Sequence, residues 1–141
     1  MVEHKKSIIR VMVIDDNTTM RSILRYQLNQ MGIADLIEAK NGKDALSTLR
    51  DPGIRKPHAI LCDLHMDQMD GLEFCNVFRN DKELKATSIP IIIVTADNER
   101  FTHEVAHQVG AHEVLTKPFT TGDLQREIEQ ALGFQVGVQA A

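Results

Sequence analysis

The 141-residue chain is short of cysteine, of long apolar runs and of surplus positive charge, and each shortage removes a class of function. Its two cysteines, Cys62 and Cys75, form no CxxC and no repeated metal spacing, which fits buried free thiols in a reducing compartment better than a disulfide framework. No apolar run approaches the roughly 18 residues of a membrane-spanning helix. The opening "MVEHKKSIIRVMVI" is broken by Arg10 where the apolar part of a signal peptide would continue. The expectation is a cytoplasmic protein with no membrane partner. With 16 Lys plus Arg against 20 Asp plus Glu, the formal charge of -4 leaves no basic footprint, so no nucleic-acid partner is expected. Repeats and low-complexity segments are absent.

At 43% hydrophobic residues the chain can bury one core, and is too short for two ordinary ones. Five strand-sized apolar runs stand out: "IIRVMVI" (8–14), "ADLIEA" (34–39), "AILC" (59–62), "PIIIV" (90–94) and "EVLT" (113–116). They alternate with five helical patterns, which predicts an α/β fold, a five-stranded parallel sheet covered by helices on both faces. The first helix carries Met20, Ile23, Leu24, Leu28 and Met31 on its buried face, with Asn17 or Thr18 as N-cap and Gly32 as stop. The second starts near Asn41 and carries Ala45, Leu46 and Leu49, and the third carries Leu72, Cys75 and Phe78. The fourth is predicted to bury Phe101, Val105 and Val109 before Gly110, and the fifth Leu124, Ile128 and Leu132 behind a capping box from Thr120 to Asp123. Residues 50–57 and 80–88 read as longer loops. One domain over 1–133 is expected, then a flexible tail over 134–141, with no effector domain. Arg21 and Arg25 read as a solvated helix face, and His4 and His58 suggest no role.

In a parallel sheet the C-terminal ends of all strands share one edge, so residues far apart in sequence converge there. Those ends carry Asp15 and Asp16 after the first strand, Asp63 after the third, Thr95 after the fourth and Lys117 after the fifth. Carboxylates a few ångströms apart repel by about 4 kcal/mol per close pair at an effective dielectric near 20, which calls for a cation among them. An all-oxygen site with room for water and a phosphoryl oxygen suits Mg2+, with Mn2+ as a substitute. A carboxylate facing a metal, a hydroxyl and an ammonium can attack a phosphoryl group and form an acyl phosphate, the charge on the transferring oxygens being neutralised by Lys117, Thr95 and the metal.

The set "VIDD", "ILCDLHMDQMDG", "IIIVTA" and "LTKPF" resembles the receiver domain of bacterial two-component response regulators, and "DDNTTMRSILRYQL" is most similar to the stand-alone, CheY-like chemotaxis type. The similarity covers roughly residues 8–132. It implies the doubly wound (βα)5, flavodoxin-like fold with strand order 2-1-3-4-5. It further implies Asp63 as phosphoacceptor, with Mg2+ bound by Asp16 and Asp63, by Asp15 through water, and by the main-chain carbonyl of His65. Phosphoryl-binding and switch roles fall to Thr95, Ala96 and Lys117, and the Lys117-Pro118 bond is expected to be cis. The implied partners are a histidine kinase or phosphotransfer protein, and a downstream protein bound through the fourth helix, fifth strand and fifth helix. Such a protein assists its own phosphorylation and dephosphorylation and is not a turnover enzyme. The chain departs from the family at Val114, where chemotaxis members carry a switching aromatic, so a muted switch is expected. The loop after Asp63 lacks a common proline, and His65 and Asp97 occupy variable positions flanking the phosphoryl group.

Other readings compete. "HEVAH" (103–107) matches H-E-x-x-H of zinc metalloproteases, yet His112 is one position early for a third ligand and no second domain forms a cleft; His103 and His107 read more simply as the solvated side of the fourth helix. An aspartate-nucleophile phosphatase needs D-x-D, and the residue two after Asp63 is His65. A phosphorylation-independent receiver-fold binding module has no reason to keep a repulsive acidic cluster. A phosphate sink in a relay uses the same chemistry.

Overall fold

The computed structural model describes residues 9–136, so the expected strand start at Ile8, His4 and the last five residues of the expected tail lie outside the described residues. Five strands, β1 (Arg10–Ile14), β2 (Asp35–Ala39), β3 (Ala59–Asp63), β4 (Ile91–Thr95) and β5 (Glu113–Thr116), form one parallel sheet in the order β2-β1-β3-β4-β5. The chain leaves β1 to one side for β2 and returns to the other for β3, so the switch point lies between β1 and β3, where α/β sheets open a crevice. Ile14 is in register with Cys62. The next residues, Asp15 and Asp63, therefore leave neighbouring strands side by side.

The helices begin where short polar side chains satisfy free backbone N–H groups. Asn17 Oδ1 accepts from Met20 N at 2.8 Å at the start of α1 (Thr18–Gln30), Asn41 Oδ1 from Asp44 N at 2.8 Å for α2 (Gly42–Arg50), and Asp70 Oδ1 from Glu73 N at 2.8 Å for α3 (Gly71–Asn80). The capping box of α5 (Thr121–Leu132) is complete: Asp123 N donates to Thr120 Oγ1 and Thr120 N to Asp123 Oδ2, both at 3.0 Å. Only α4 (Arg100–Gln108) among these helices starts without a side-chain cap bond.

Alternation along each strand sorts the core into two layers. Val11, Val13, Leu61, Ile92 and Val94 pack against Leu24 and Leu28 of α1 and Leu124 and Ile128 of α5. Met12, Ile14, Ile60, Cys62, Ile91 and Ile93 pack against α2, α3 and α4 through Leu46, Leu49, Phe74, Phe78 and Ala106. Coverage on both faces is why the inner strands read as unbroken apolar runs. Both cysteines are free and buried. No helix among the described residues is long and apolar enough to cross a membrane.

The structure corrects four expectations. Ile23 is 45% exposed, because Leu24, Leu28 and Met31 form the buried stripe of α1 and Ile23 stands one position off it. Phe101 is 73% exposed and Val105 and Val109 only half-buried, whereas Ala106 is buried. The inward stripe of α4 runs through Ala106 and, four residues earlier, Thr102, whose Oγ1 donates to Asp97 Oδ2 at 2.8 Å, so the adjacent Phe101 falls on the outer side. The loop at 80–88 contains a single 3-10 turn, Lys85–Thr87, anchored by the buried Leu84. The tail expected from Phe134 is docked through Val136. Gly133 (φ 85°) ends α5 in the left-handed region, the chain folds back, Val136 N donates to Glu129 Oε2 at 2.9 Å, and the Val136 side chain is 1% exposed among Ile9, Leu28 and Ile128.

Candidate functional site

The sheet edge gathers one carboxyl group from each of Asp15, Asp16 and Asp63, with an oxygen of each within 4.8 Å of the others, the sole cluster of this kind among the described residues. Asp15 is 2% exposed, Asp16 exposed and Asp63 half-buried. Together with Lys117, Asn17, Thr19, Met20 and Ile23 they line an open cleft of about 560 Å³. Lys117 Nζ lies 3.4 Å from Asp63 Oδ1. Lys117 is brought there by the bond from its backbone N–H to Thr95 O at 2.7 Å, and the following Lys117-Pro118 peptide is cis.

Burial pushes the Asp63 carboxyl above its ordinary value near 3.8; Lys117 opposes the rise and Asp16 adds to it. Burial raises Asp15 as well, against the pull of the Asn17 N–H, which donates to Asp15 Oδ1 at 2.9 Å, and Asp63 adds to the rise. Two carboxyls raised by desolvation and mutual charge fit a hard divalent cation better than an empty cleft, and the donor set is all oxygen. Asp67 N donates to Asp16 Oδ2 at 3.3 Å, and the exposed His65 borders a second hollow with Asp16, Met66, Asp67 and Asp70.

Thr95 stands differently. It is 1% exposed, does not line the cleft, and its Oγ1 accepts from Asp97 N at 3.1 Å. Ala96 follows it on the exposed loop. Val114 is buried beside Ala106 and Ala111 beneath α4.

Two supports of the site were missed in sequence. Arg21, read as solvated, donates from Nη1 to Asp15 O at 2.6 Å and pairs with Glu38 at 3.3 Å, its side chain only 18% exposed. Its position one turn into α1, facing the acidic pair, was the available signal. Gly71 opens α3 against the end of β3: a Cβ there would lie 2.6 Å from Asp63 O and 3.0 Å from Leu64 Cα. Only glycine fits that close approach, and Gly71 N also donates to Leu64 O at 2.8 Å.

The histidines of "HEVAH" do not converge on a metal. His103 Nε2 is 3.0 Å from Asp97 O, while His107 Nε2 is 3.4 Å from Glu113 Oε1. The zinc protease reading has no support.

Comparison with known proteins agrees with this geometry. Residues 11–129 match the family model described as response regulator receiver domain. The chain is 31% identical over 125 residues to chemotaxis protein CheY1 of Helicobacter pylori, covering 89% of this chain and 98% of that one. It is equally 31% identical to a probable chemotaxis protein CheY of Rhizobium etli, covering 89% and 93%. Among solved structures, Vibrio cholerae chemotaxis protein CheY4 superposes with a TM-score of 0.77 at 25% identity, covering 88% of this chain and 98% of that one. The receiver domain of sensor histidine kinase PA1611 from Pseudomonas aeruginosa, described with a magnesium ion coordinated in its active-site cleft, shares the fold at a TM-score of 0.74 and 23% identity, covering 89% and 98%.

Proposed function

We infer function from one premise: the chain belongs to the response regulator receiver domain family. It is a two-component response regulator with chemotaxis-type relatives. Proteins of this family are signalling proteins that histidine kinases phosphorylate and that act on downstream targets.

Within that family we propose that Asp63 accepts the phosphoryl group. The observation that carries this is the placement of Asp63 Oδ1 3.4 Å from Lys117 Nζ, inside a cluster of three carboxyl groups within 4.8 Å. In the transfer, an Asp63 carboxylate oxygen forms a bond to phosphorus as the phosphorus-nitrogen bond of the donor phosphohistidine breaks, and the electron pair leaves with the imidazole. Lys117 holds positive charge against the phosphoryl oxygens. Asp15, Asp16, Asp63 and the His65 carbonyl would hold Mg2+, or Mn2+ in its place. When bound, that ion supplies neutralisation of the acidic cluster and of the phosphoryl oxygens. Thr95 and Ala96 receive a phosphoryl oxygen from the β4 side, and Thr95 reports its presence.

The partners are a histidine kinase or phosphotransfer protein upstream and a protein target on the face of α4, β5 and α5, where the exposed Phe101 offers an apolar anchor. Only a difference in target affinity between the two states turns phosphorylation into a signal. The receiver unit is proposed to be cytoplasmic and not to turn over substrate, and with Val136 docked it reaches past the expected boundary at 133.

Intact-mass spectrometry after incubation with Mg2+ and a small acyl-phosphate donor tests this reading. One phosphoryl adduct is expected in the wild type and none in Asp63→Asn or with EDTA. A wild type that stays unmodified when presented with both the small donor and phosphorylated histidine kinases would leave a phosphorylation-independent binding module as the better reading.

A further inference from the structure

The loop from β4 to α4 is organised around one residue. Asp97 N donates to Thr95 Oγ1 at 3.1 Å. The Asp97 carboxylate accepts from Glu99 N at 2.9 Å through Oδ1 and from Thr102 Oγ1 at 2.8 Å through Oδ2. The Asp97 carbonyl lies 3.0 Å from His103 Nε2. A carbonyl can only accept, so Nε2 carries the proton, as it does in one neutral tautomer and in the imidazolium. Glu99 makes no side-chain cap bond to α4, so the side chains of Thr102 and His103 are what tie the first turn of the helix to the loop.

The geometry at Thr95 gives this hub a direction. Its hydroxyl oxygen accepts from Asp97, while its proton has no acceptor among the described residues. The hydroxyl can thus donate to a new oxygen without releasing Asp97. Displacement of Thr95 then carries Asp97 with it, and through Thr102 and His103 it carries the first turn of α4. Val114, buried under α4, leaves no aromatic ring to swing at that position.

We propose that Asp97 and His103 are positioning residues that link the Thr95 hydroxyl to the first turn of α4, so that engagement of Thr95 at the phosphorylated site moves the output helix without a switching aromatic. The proposal rests on Asp63 being the phosphoacceptor. It gives His103, the first histidine of "HEVAH", a role in signalling instead of metal binding.

The test uses the full chain and two readouts on each sample. Intact mass reports the phosphoryl adduct formed with Mg2+ and a small acyl-phosphate donor, and amide NMR shifts report the response of residues 100–104. The variants are His103→Leu, which removes the donor, His103→Gln, which keeps a side-chain N–H at similar reach, and Asp97→Ala. The adduct is expected in the wild type and both His103 variants, with the shift response of α4 lost in His103→Leu and restored in His103→Gln; Asp97→Ala, which flanks the phosphoryl group, is read only in the fraction that carries adduct and is expected to lose the response there. A full α4 response in an adduct-bearing His103→Leu protein would overturn the link, as would a His103→Gln protein that behaves like His103→Leu. A wild type without adduct would instead overturn the phosphoacceptor reading, and the link with it. Should Asp97→Ala fail to fold, the paired His103 variants decide the matter alone.

Discussion

Neutralising Asp63 should make the fold more stable when no divalent cation is present. An oxygen of each neighbouring carboxylate lies within 4.8 Å of Asp63, which at an effective dielectric near 20 is about 3.5 kcal/mol of repulsion per pair, or about 7 kcal/mol for two. Lys117 at 3.4 Å returns about 5 kcal/mol of attraction on the same scale. Asp16 is exposed, so water and salt screen much of its share, but removing the charge also relieves the cost of burying it. The balance favours Asp63→Asn by about 1–2 kcal/mol. Urea unfolding at neutral pH in EDTA would show it as a higher midpoint at unchanged slope. Magnesium should close the gap from the other side, stabilising the wild type by about 1.4 kcal/mol at ten times its dissociation constant and the variant by less. Acid should close it too. Asp15 and Asp63 titrate above their ordinary values in the folded protein, so their protonated forms contribute stability that is fully present below about pH 3.8 and lost as the pH rises through the raised values. An Asp63→Asn protein equal to or less stable than wild type in EDTA would refute the electrostatic account of the cluster.

Further predictions concern the supports of the site and the ends of the fold. Val136→Ala should cost about 2 kcal/mol in the same unfolding assay, because a fully buried valine is truncated where the chain folds back on α1 and α5; a neutral result would mean the segment does not dock in solution. Gly71→Ala should destabilise by about 1–3 kcal/mol and slow adduct formation, since the added methyl meets the Asp63 carbonyl, a backbone atom with little room to yield. Arg21→Met should weaken Mg2+ binding by about tenfold through loss of the bond that fixes the Asp15 backbone, measurable by titration calorimetry. Zinc titration should show no tight site at "HEVAH", with His103→Ala and His107→Ala indistinguishable from wild type.

Much of this protein was legible in its sequence because the signals are local or periodic. Apolar runs with helical patterns between them specify five β and five α elements, and short polar caps such as Asn17, Asn41 and Thr120 mark where helices begin. The convergence of Asp15, Asp16 and Asp63 follows from parallel strands ending on one edge, and their quoted motifs identify the family. Where periodicity failed, at Ile23 and Phe101, the face a helix buries was set by neighbours it could not name. In α4 the stripe through Thr102 and Ala106 faces inward, and a register one residue off is enough to put Phe101 outside.

The sequence by itself determined which chemistry is present: three acids, a lysine and a threonine at strand ends. Tertiary structure decided how those groups are poised. It buried Thr95 away from the cleft and gave its hydroxyl to Asp97, drew Arg21 onto the Asp15 carbonyl, pressed Gly71 against Asp63, and seated Val136 in the core. Each of these is a contact between segments distant along the chain or held by a turn, and its energy depends on distances of a few ångströms that only the packed sheet and helices fix.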